Sequence, residues 1–198
     1  MIDTSDSSLP GFWDVRFRRA TTPWDLNGVP AELTEFATSH EPCRVLIPGC
    51  GTGHDAAYLD DRGFDVDAVD FSDGAIEAAR AALGERATLV RKADFFAFDV
   101  SEPYDAVYER AFLCALPAST RLAYASRMQE LVAPGGVLVG SFYVAATTDG
   151  PPNGLRDGEL AELLGPAFRC ESDQATVAPL PVFGSGERWQ CWRRVTLR

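Results

Sequence analysis

The sequence is poor in the residues that metal, redox and nucleic-acid chemistry require. It has only two histidines, His40 and His54, and five widely spaced cysteines with no C-x-x-C pair. That spacing argues against a zinc-type cluster, and the odd count argues against a disulfide framework; a reducing, cytoplasmic setting is expected, with no metal. Basic residues are scarce, 18 Lys+Arg against 29 Asp+Glu, for a formal net charge of −11. A phosphate backbone or an anionic membrane surface calls for clustered positive charge, so neither nucleic acid nor membrane is an expected partner. No apolar run approaches the length of a membrane span. The first residues, "MIDTSDSSLPG", lack the basic and apolar regions of a secretory signal and read as a short mobile leader over 1–10. The remaining 11–198 suit one domain with a sizeable core. Cys43 and Cys170 read as core residues, and Cys50 sits where a small side chain is needed. A nucleophilic Cys50 is the alternative.

What is present is an alternation of apolar runs and helical patterns, the signature of a parallel α/β sheet. "CRVLIPG" (43–49) reads as a buried strand and "GHDAAYLDDRG" (53–63) as the helix after it. "FDVDAVD" (64–70) is a second strand. "SDGAIEAARAAL" (72–83) is a helix with a Ser N-cap and a Gly84 stop. "ATLVRKAD" (87–94) and "YDAVYERAF" (104–112) read as strands three and four. "ASTRLAYASRMQELVAPGG" (118–136) reads as a helix closed by Pro134-Gly135-Gly136, before the apolar fifth strand "GVLVGSFYV" (136–144). A Gly/Pro loop (146–154), a short helix (156–165) and two strands near 167–177 and 187–197 complete the chain. A terminal strand pair of this kind predicts an antiparallel strand added to a parallel sheet. Ahead of the first strand, 11–37 is aromatic-rich with a helix at each end.

The loop "PGCGTGHD" places Gly49, Gly51 and Gly53 after the first strand. A dinucleotide fingerprint needs its third glycine where His54 stands, so the pattern suits a cofactor without pyrophosphate better. Asp70 ends the second strand, where a carboxylate can accept from both ribose hydroxyls. Asp94 ends the third expected strand and is followed by Phe95 and Phe96; it can accept from an adenine amino group beside an aromatic ring. Capping roles for both acids are the bland reading. Two acids at successive strand ends beside a glycine loop favour a cofactor site.

"PGCGTGHD", "AVDFS", "ADFF", "YDAVYERAFLCALP" and "GPPNG", taken with "TPWD", resemble the thiopurine methyltransferase family, which also holds thiol, halide and thiocyanate methyltransferases. The resemblance runs from Phe12 to about Arg193. It implies a class I methyltransferase fold: a Rossmann-like three-layer α/β sandwich, with a seven-stranded mostly parallel sheet and an antiparallel last strand. It implies S-adenosyl-L-methionine as cofactor, S-adenosyl-L-homocysteine as product, and a monomer. "TPWD" is similar to the halide and thiol branch, whereas "YERAFLCALP" is similar to the thiopurine branch.

By the same resemblance, Trp13, Phe17 and Trp24 match a lid over the cofactor, within an N-terminal segment 11–40. Gly49, Gly51, Asp70 and Phe71 match the glycine-loop and ribose positions, and Asp94 and Phe95 match the adenine pocket. Arg110 matches a residue near the sulfonium and the acceptor, the expected catalytic residue. Its alternative is a structural ion pair with Glu109, Asp105 or the cofactor carboxylate. Tyr143, Pro151, Pro152 and Asn153 border the expected acceptor mouth, Asn153 standing where the family usually has an aromatic. Trp189 and Trp192 read as core. The expected reaction is methyl transfer to a small soft nucleophile, such as a thiol or thiopurine sulfur. Halide or thiocyanate, or a nitrogen or oxygen of a specialised metabolite, are the alternatives within the class. A nicotinamide-dependent reductase, or a cofactor-binding protein without catalysis, are those outside it.

Overall fold

The computed structural model describes residues 6–147 and 150–196. The first five residues of the expected leader, two positions of the Gly/Pro loop and the end of the last expected strand lie outside them.

The half ending at Phe98 is built on three parallel strands. β1 (Arg44–Pro48) is apolar after Arg44, and Val45, Leu46 and Ile47 are all buried, as expected of a strand covered on both faces. It pairs with β2 (Asp65–Asp70), and β2 pairs with β3 (Val90–Lys92). Helices α1 (Pro10–Arg18) and α2 (Ala31–Ser39) precede β1. α3 (His54–Asp60) and α4 (Asp73–Leu83) supply the crossovers that parallel pairing demands. The Ser72 hydroxyl accepts from the Ala75 N–H at the start of α4, and Gly84, at φ 58°, ends it.

The expected third strand begins as 3-10 helix, over 87–89. Gly84–Leu89 continues in tight turns after α4, and pairing begins only at Val90. Arg86, bonded to Asp60, Asp61 and the Ala57 carbonyl, holds those turns against the end of α3. Asp94 therefore lies beyond the strand rather than at its last position.

The half from Asp99 holds β4 (Tyr104–Arg110), α5 (Arg121–Leu131), β5 (Val132–Tyr143), α6 (Glu159–Leu164), β6 (Phe168–Ala175) and β7 (Glu187–Arg194). β4 and β5 are parallel; β7 is antiparallel to both β5 and β6. The sheet has seven strands in the order β3-β2-β1-β4-β5-β7-β6. The antiparallel addition is thus a last strand seated inside the final hairpin. Here α5 stops at Leu131, and Pro134-Gly135-Gly136 does not close it but lies within β5. Proline has no N–H for the ladder and Gly135 takes φ 83°, so the segment loops out between the Tyr104–Val132 and Ala106–Val137 pairs. Trp189 and Trp192 are buried, as is Cys114. Cys170 is exposed because β6 is an edge strand with one buried residue, and Cys43 is only half-buried, so neither is a core cysteine.

Candidate active site

The turn after β1 depends on backbone shapes that side chains resist. Gly49, Gly51 and Gly53 all have positive φ, at 60°, 54° and 74°. Gly53 does the close packing reserved for the last glycine of such loops: a Cβ there would lie 2.9 Å from Leu83 and Val90 side chains. His54 begins α3 directly after it. Cys50, inside the loop, has its thiol pushed well above its ordinary pKa by burial and by the charge of Asp70, which opposes a thiolate nucleophile.

Asp70 closes β2 facing this turn. One carboxylate oxygen accepts from the Gly51 N–H at 3.1 Å, the other from the Ser72 N–H at 2.9 Å. A carboxylate offers about four lone-pair sites, so beyond its amide bonds the group can still accept from a hydroxyl. Burial pushes Asp70 up to about 6, against the Ser72, Gly51 and Phe71 amide bonds that pull it down. Phe71, next to it, is half-buried. Asp94 is exposed and folds its own loop, its carboxylate accepting from Phe96 N–H at 2.9 Å. Phe95 is buried, and the neighbouring Phe96, set edge-on to it at 5.0 Å, is exposed.

The aromatic segment packs on the same turn. Phe17 lies against Gly51, where a Cβ would sit 3.4 Å from its ring. Trp24 meets Trp13 and Phe17 edge-on at 5.4 and 6.0 Å. Trp13 is buried and gives its indole N–H to the Ser7 carbonyl, whereas Phe17 and Trp24 are half-buried. Two carboxylates latch the segment down. Asp25 of "TPWD" accepts from the Thr52 hydroxyl at 2.9 Å. Asp14 accepts from the Ser72 hydroxyl at 2.7 Å and the Gly74 N–H at 2.9 Å. Burial would raise Asp14, but those two bonds together with the charges of Arg18 and Lys92 outweigh it and hold the group below its usual value. Neither latch has a local sequence signal, because each joins positions far apart in the chain.

In the other half, Arg110 ends β4 with its side chain 8% exposed, paired to the still more buried Glu187 of β7 at 3.3 Å. None of the expected protein partners holds it. Strand neighbours point to opposite faces, so Glu109 and Asp105 face away from Arg110. Glu109 instead accepts from the Phe112 and Leu113 N–H groups at 3.0 and 3.1 Å. Burial pushes it up to about 7, although those two bonds pull it down. Tyr143, half-buried at the end of β5, packs on Phe183 with ring centres 5.4 Å apart. Asn153 is pinned: its N–H donates to Cys114, and its side-chain amide to the Leu116 carbonyl at 3.0 Å. Arg121 braces the same loop through the Gly154 and Asn153 carbonyls and Glu159. Pro151 and Pro152 are half-buried beside it.

A parallel sheet extended by an antiparallel last strand, a three-glycine turn after the first strand and a carboxylate at the end of the second define a class I S-adenosylmethionine-dependent methyltransferase. The fold agrees with that of Burkholderia thailandensis 1,6-didemethyltoxoflavin-N1-methyltransferase, solved with S-adenosylhomocysteine, at TM-score 0.73 and 22% identity over 94% of this chain and 87% of that one. Residues 9–185 match the thiopurine S-methyltransferase family, and the chain belongs to it. It is 29% identical to thiocyanate methyltransferase 1 of Arabidopsis thaliana, covering 93% of this chain and 85% of the relative. It is 31% identical to a thiopurine S-methyltransferase of Vibrio cholerae serotype O1, covering 78% and 80%. The cofactor is S-adenosyl-L-methionine, and the nicotinamide-dependent reading is set aside.

Proposed function

We propose that the enzyme transfers the methyl group of S-adenosylmethionine to the sulfur of a small thiol or thiopurine-like compound. The observation that carries this reading is the Arg110–Glu187 pair, a buried guanidinium at the carboxyl end of β4, the edge at which sheets of this type bind ligands. When bound, the cofactor supplies a methyl carbon already activated by a positive sulfur. What remains for the chain is to bind, orient and exclude water. Asp70 takes the ribose hydroxyls; the Gly49–Gly51 turn and Phe71 admit the amino-acid and nucleoside parts; Asp94 and Phe95 take the adenine end. Trp13, Phe17 and Trp24 form the cover. Arg110, Tyr143, Pro152 and Asn153 border the acceptor. Residues 11–198 work as one catalytic domain, a monomer in the cytoplasm. In support of a thermodynamic role for these groups, both Asp70 and Arg110 are buried charges retained at strand ends, where burial is costly without a use.

Two measurements test this. Thermal shift with S-adenosylhomocysteine and with NADH is expected to show stabilisation by the former alone, by mass action. A mass-spectrometric product screen then offers the methyl donor with thiols, thiopurines, iodide, thiocyanate and hydrosulfide. Methylated thiols or thiopurines are the expected products, and methylation of amines or alcohols alone would refute the sulfur assignment.

A further inference from the structure

One face of the β4–β5–β7 ladder carries polar atoms that the fold leaves unsatisfied. Arg110 registers with Ser141 of β5, and Ser141 with Trp189 of β7; Tyr143 registers with Glu187. Cross-strand partners share a face, so Arg110, Ser141, Tyr143, Glu187 and Trp189 stand together. Thr176, whose N–H bonds the Glu187 carbonyl, extends the row. Among the described residues, the Ser141 hydroxyl, the Thr176 hydroxyl, Arg110 Nε and Glu187 Oε1 are buried and make no hydrogen bond. Arg110 and Glu187 are close enough to attract, yet too poorly aligned to bond. Glu187 is anchored by its other oxygen, which accepts from the Leu180 N–H at 3.0 Å. Buried polar atoms are normally paired, and four orphans at one edge of one face point to a ligand that completes them.

We infer that Glu187, Arg110 and Ser141 form the acceptor subsite, and that this subsite selects a neutral, proton-bearing thiol over a bare anion such as iodide or thiocyanate. This deepens the methyl-transfer reading and rests on it. The argument is one of charge. Arg110 alone would attract an anion, but Glu187 already compensates it, both being almost fully buried. A bare anion balances the sulfonium, but it brings no donor for Glu187 Oε1 and sets a second negative charge against that carboxylate, which is costly away from water. A neutral thiol adds no charge and brings a donor for Glu187 Oε1, while Ser141 and Arg110 Nε donate to its sulfur or to a neighbouring acceptor atom. In the transfer, the S–H proton passes to Glu187 Oε1 as the acceptor sulfur forms its bond to the methyl carbon. The bond from that carbon to the cofactor sulfur breaks, its electron pair staying on the departing sulfur. The positive charge lost from the sulfonium is balanced by the proton gained on Glu187, which then leaves to solvent. Glu187 is thereby a catalytic residue, and Ser141 a binding one.

The test compares wild type with Glu187→Gln, whose side-chain oxygen can still accept the Leu180 N–H. For each, kcat/KM is measured with a neutral aryl thiol below its pKa and with iodide, alongside thermal stabilisation by S-adenosylhomocysteine. The expected result is about a hundredfold loss with the thiol, the size of a removed general base, together with a gain for iodide now that Arg110 is uncompensated. Stabilisation by S-adenosylhomocysteine stays as in wild type, showing an intact fold. Where Glu187→Gln does not fold, Ser141→Ala serves, since it removes a hydroxyl with no partner; the thiol-to-iodide ratio of kcat/KM is expected to fall about fivefold. Wild-type turnover of both acceptors with an unaltered ratio in the folded variant would overturn the inference while leaving methyl transfer standing. Absence of turnover in wild type with every acceptor would overturn the methyl-transfer reading and this one with it.

Discussion

Asp70 shows how one side chain joins the fold to the expected ligand. Its two oxygens are already committed to the Gly51 and Ser72 amides, which hold the glycine turn against the end of β2. Burial nonetheless keeps its carboxyl near 6. Ribose hydroxyls donate to the ionised form more strongly than to the protonated one, so cofactor binding is linked to loss of that proton. Affinity for S-adenosylhomocysteine is therefore expected to be flat above pH 7 and to fall toward tenfold per pH unit below 6, measured by calorimetry. Asp70→Asn should bind at least tenfold more weakly at pH 7.5 and lose this pH dependence, and an unchanged profile would remove Asp70 from the ribose site. The acid and the glycines were legible in the sequence because both stand within a residue or two of a strand end. Glu187 was not, because its pairing with Arg110 depends on where β7 inserts. Alternation along β4 already ruled out Glu109 and Asp105 as the partners of Arg110, and that signal was available in the sequence.

Elements bounded by unambiguous cap and stop residues are legible in the sequence, and those whose stop signals mislead are not. Ser72 and Gly84 bracket α4 as a cap and a stop should. Pro134-Gly135-Gly136 carries equally strong stop signals, yet the chain is already in β5 there, because pairing with β4 resumes across the looped-out residues. Contact of α1 with α4 left no local signal at all. It needs Gly74, where a Cβ would come within 2.8 Å of the Asp14 backbone, and it needs the Asp14 carboxylate on Ser72 and Gly74. Asp14→Ala leaves the buried Gly74 amide without its acceptor, a loss of about 1–3 kcal/mol. Gly74→Ala should instead force the α1 backbone away while keeping the acceptor. Both variants are expected to raise amide hydrogen exchange in Pro10–Arg18 well above that of β1, and to weaken S-adenosylhomocysteine binding as Phe17 leaves Gly51. Exchange in α1 matching wild type in both variants would show that the latch does not hold this helix.

For the molecule as a whole, buried and half-buried carboxyls set how stability varies with pH. Those in bonded networks, such as Asp14 and Glu159, are held below their usual values, so the stability they add is present at neutral pH and is lost as the solution is acidified through their folded values. Glu109 and Asp70 work the other way. Each binds its proton more tightly folded than unfolded, so each favours the fold most at low pH and loses that advantage as pH rises, Asp70 between about 4 and 6 and Glu109 between about 4.5 and 7. The shift at Glu109 corresponds to about 3 kcal/mol, an amount that moves the Tm of a chain this size by several degrees. Glu109→Gln removes the titration while its amide oxygen keeps accepting from Phe112 and Leu113. The variant is thus expected to melt several degrees above wild type at pH 8, with the gap closing toward pH 5, as read by calorimetry over that range. The sign is diagnostic. If Glu109 were ionised and held by a cation, the same substitution would lower Tm at pH 8, and if it were solvated the two curves would run parallel.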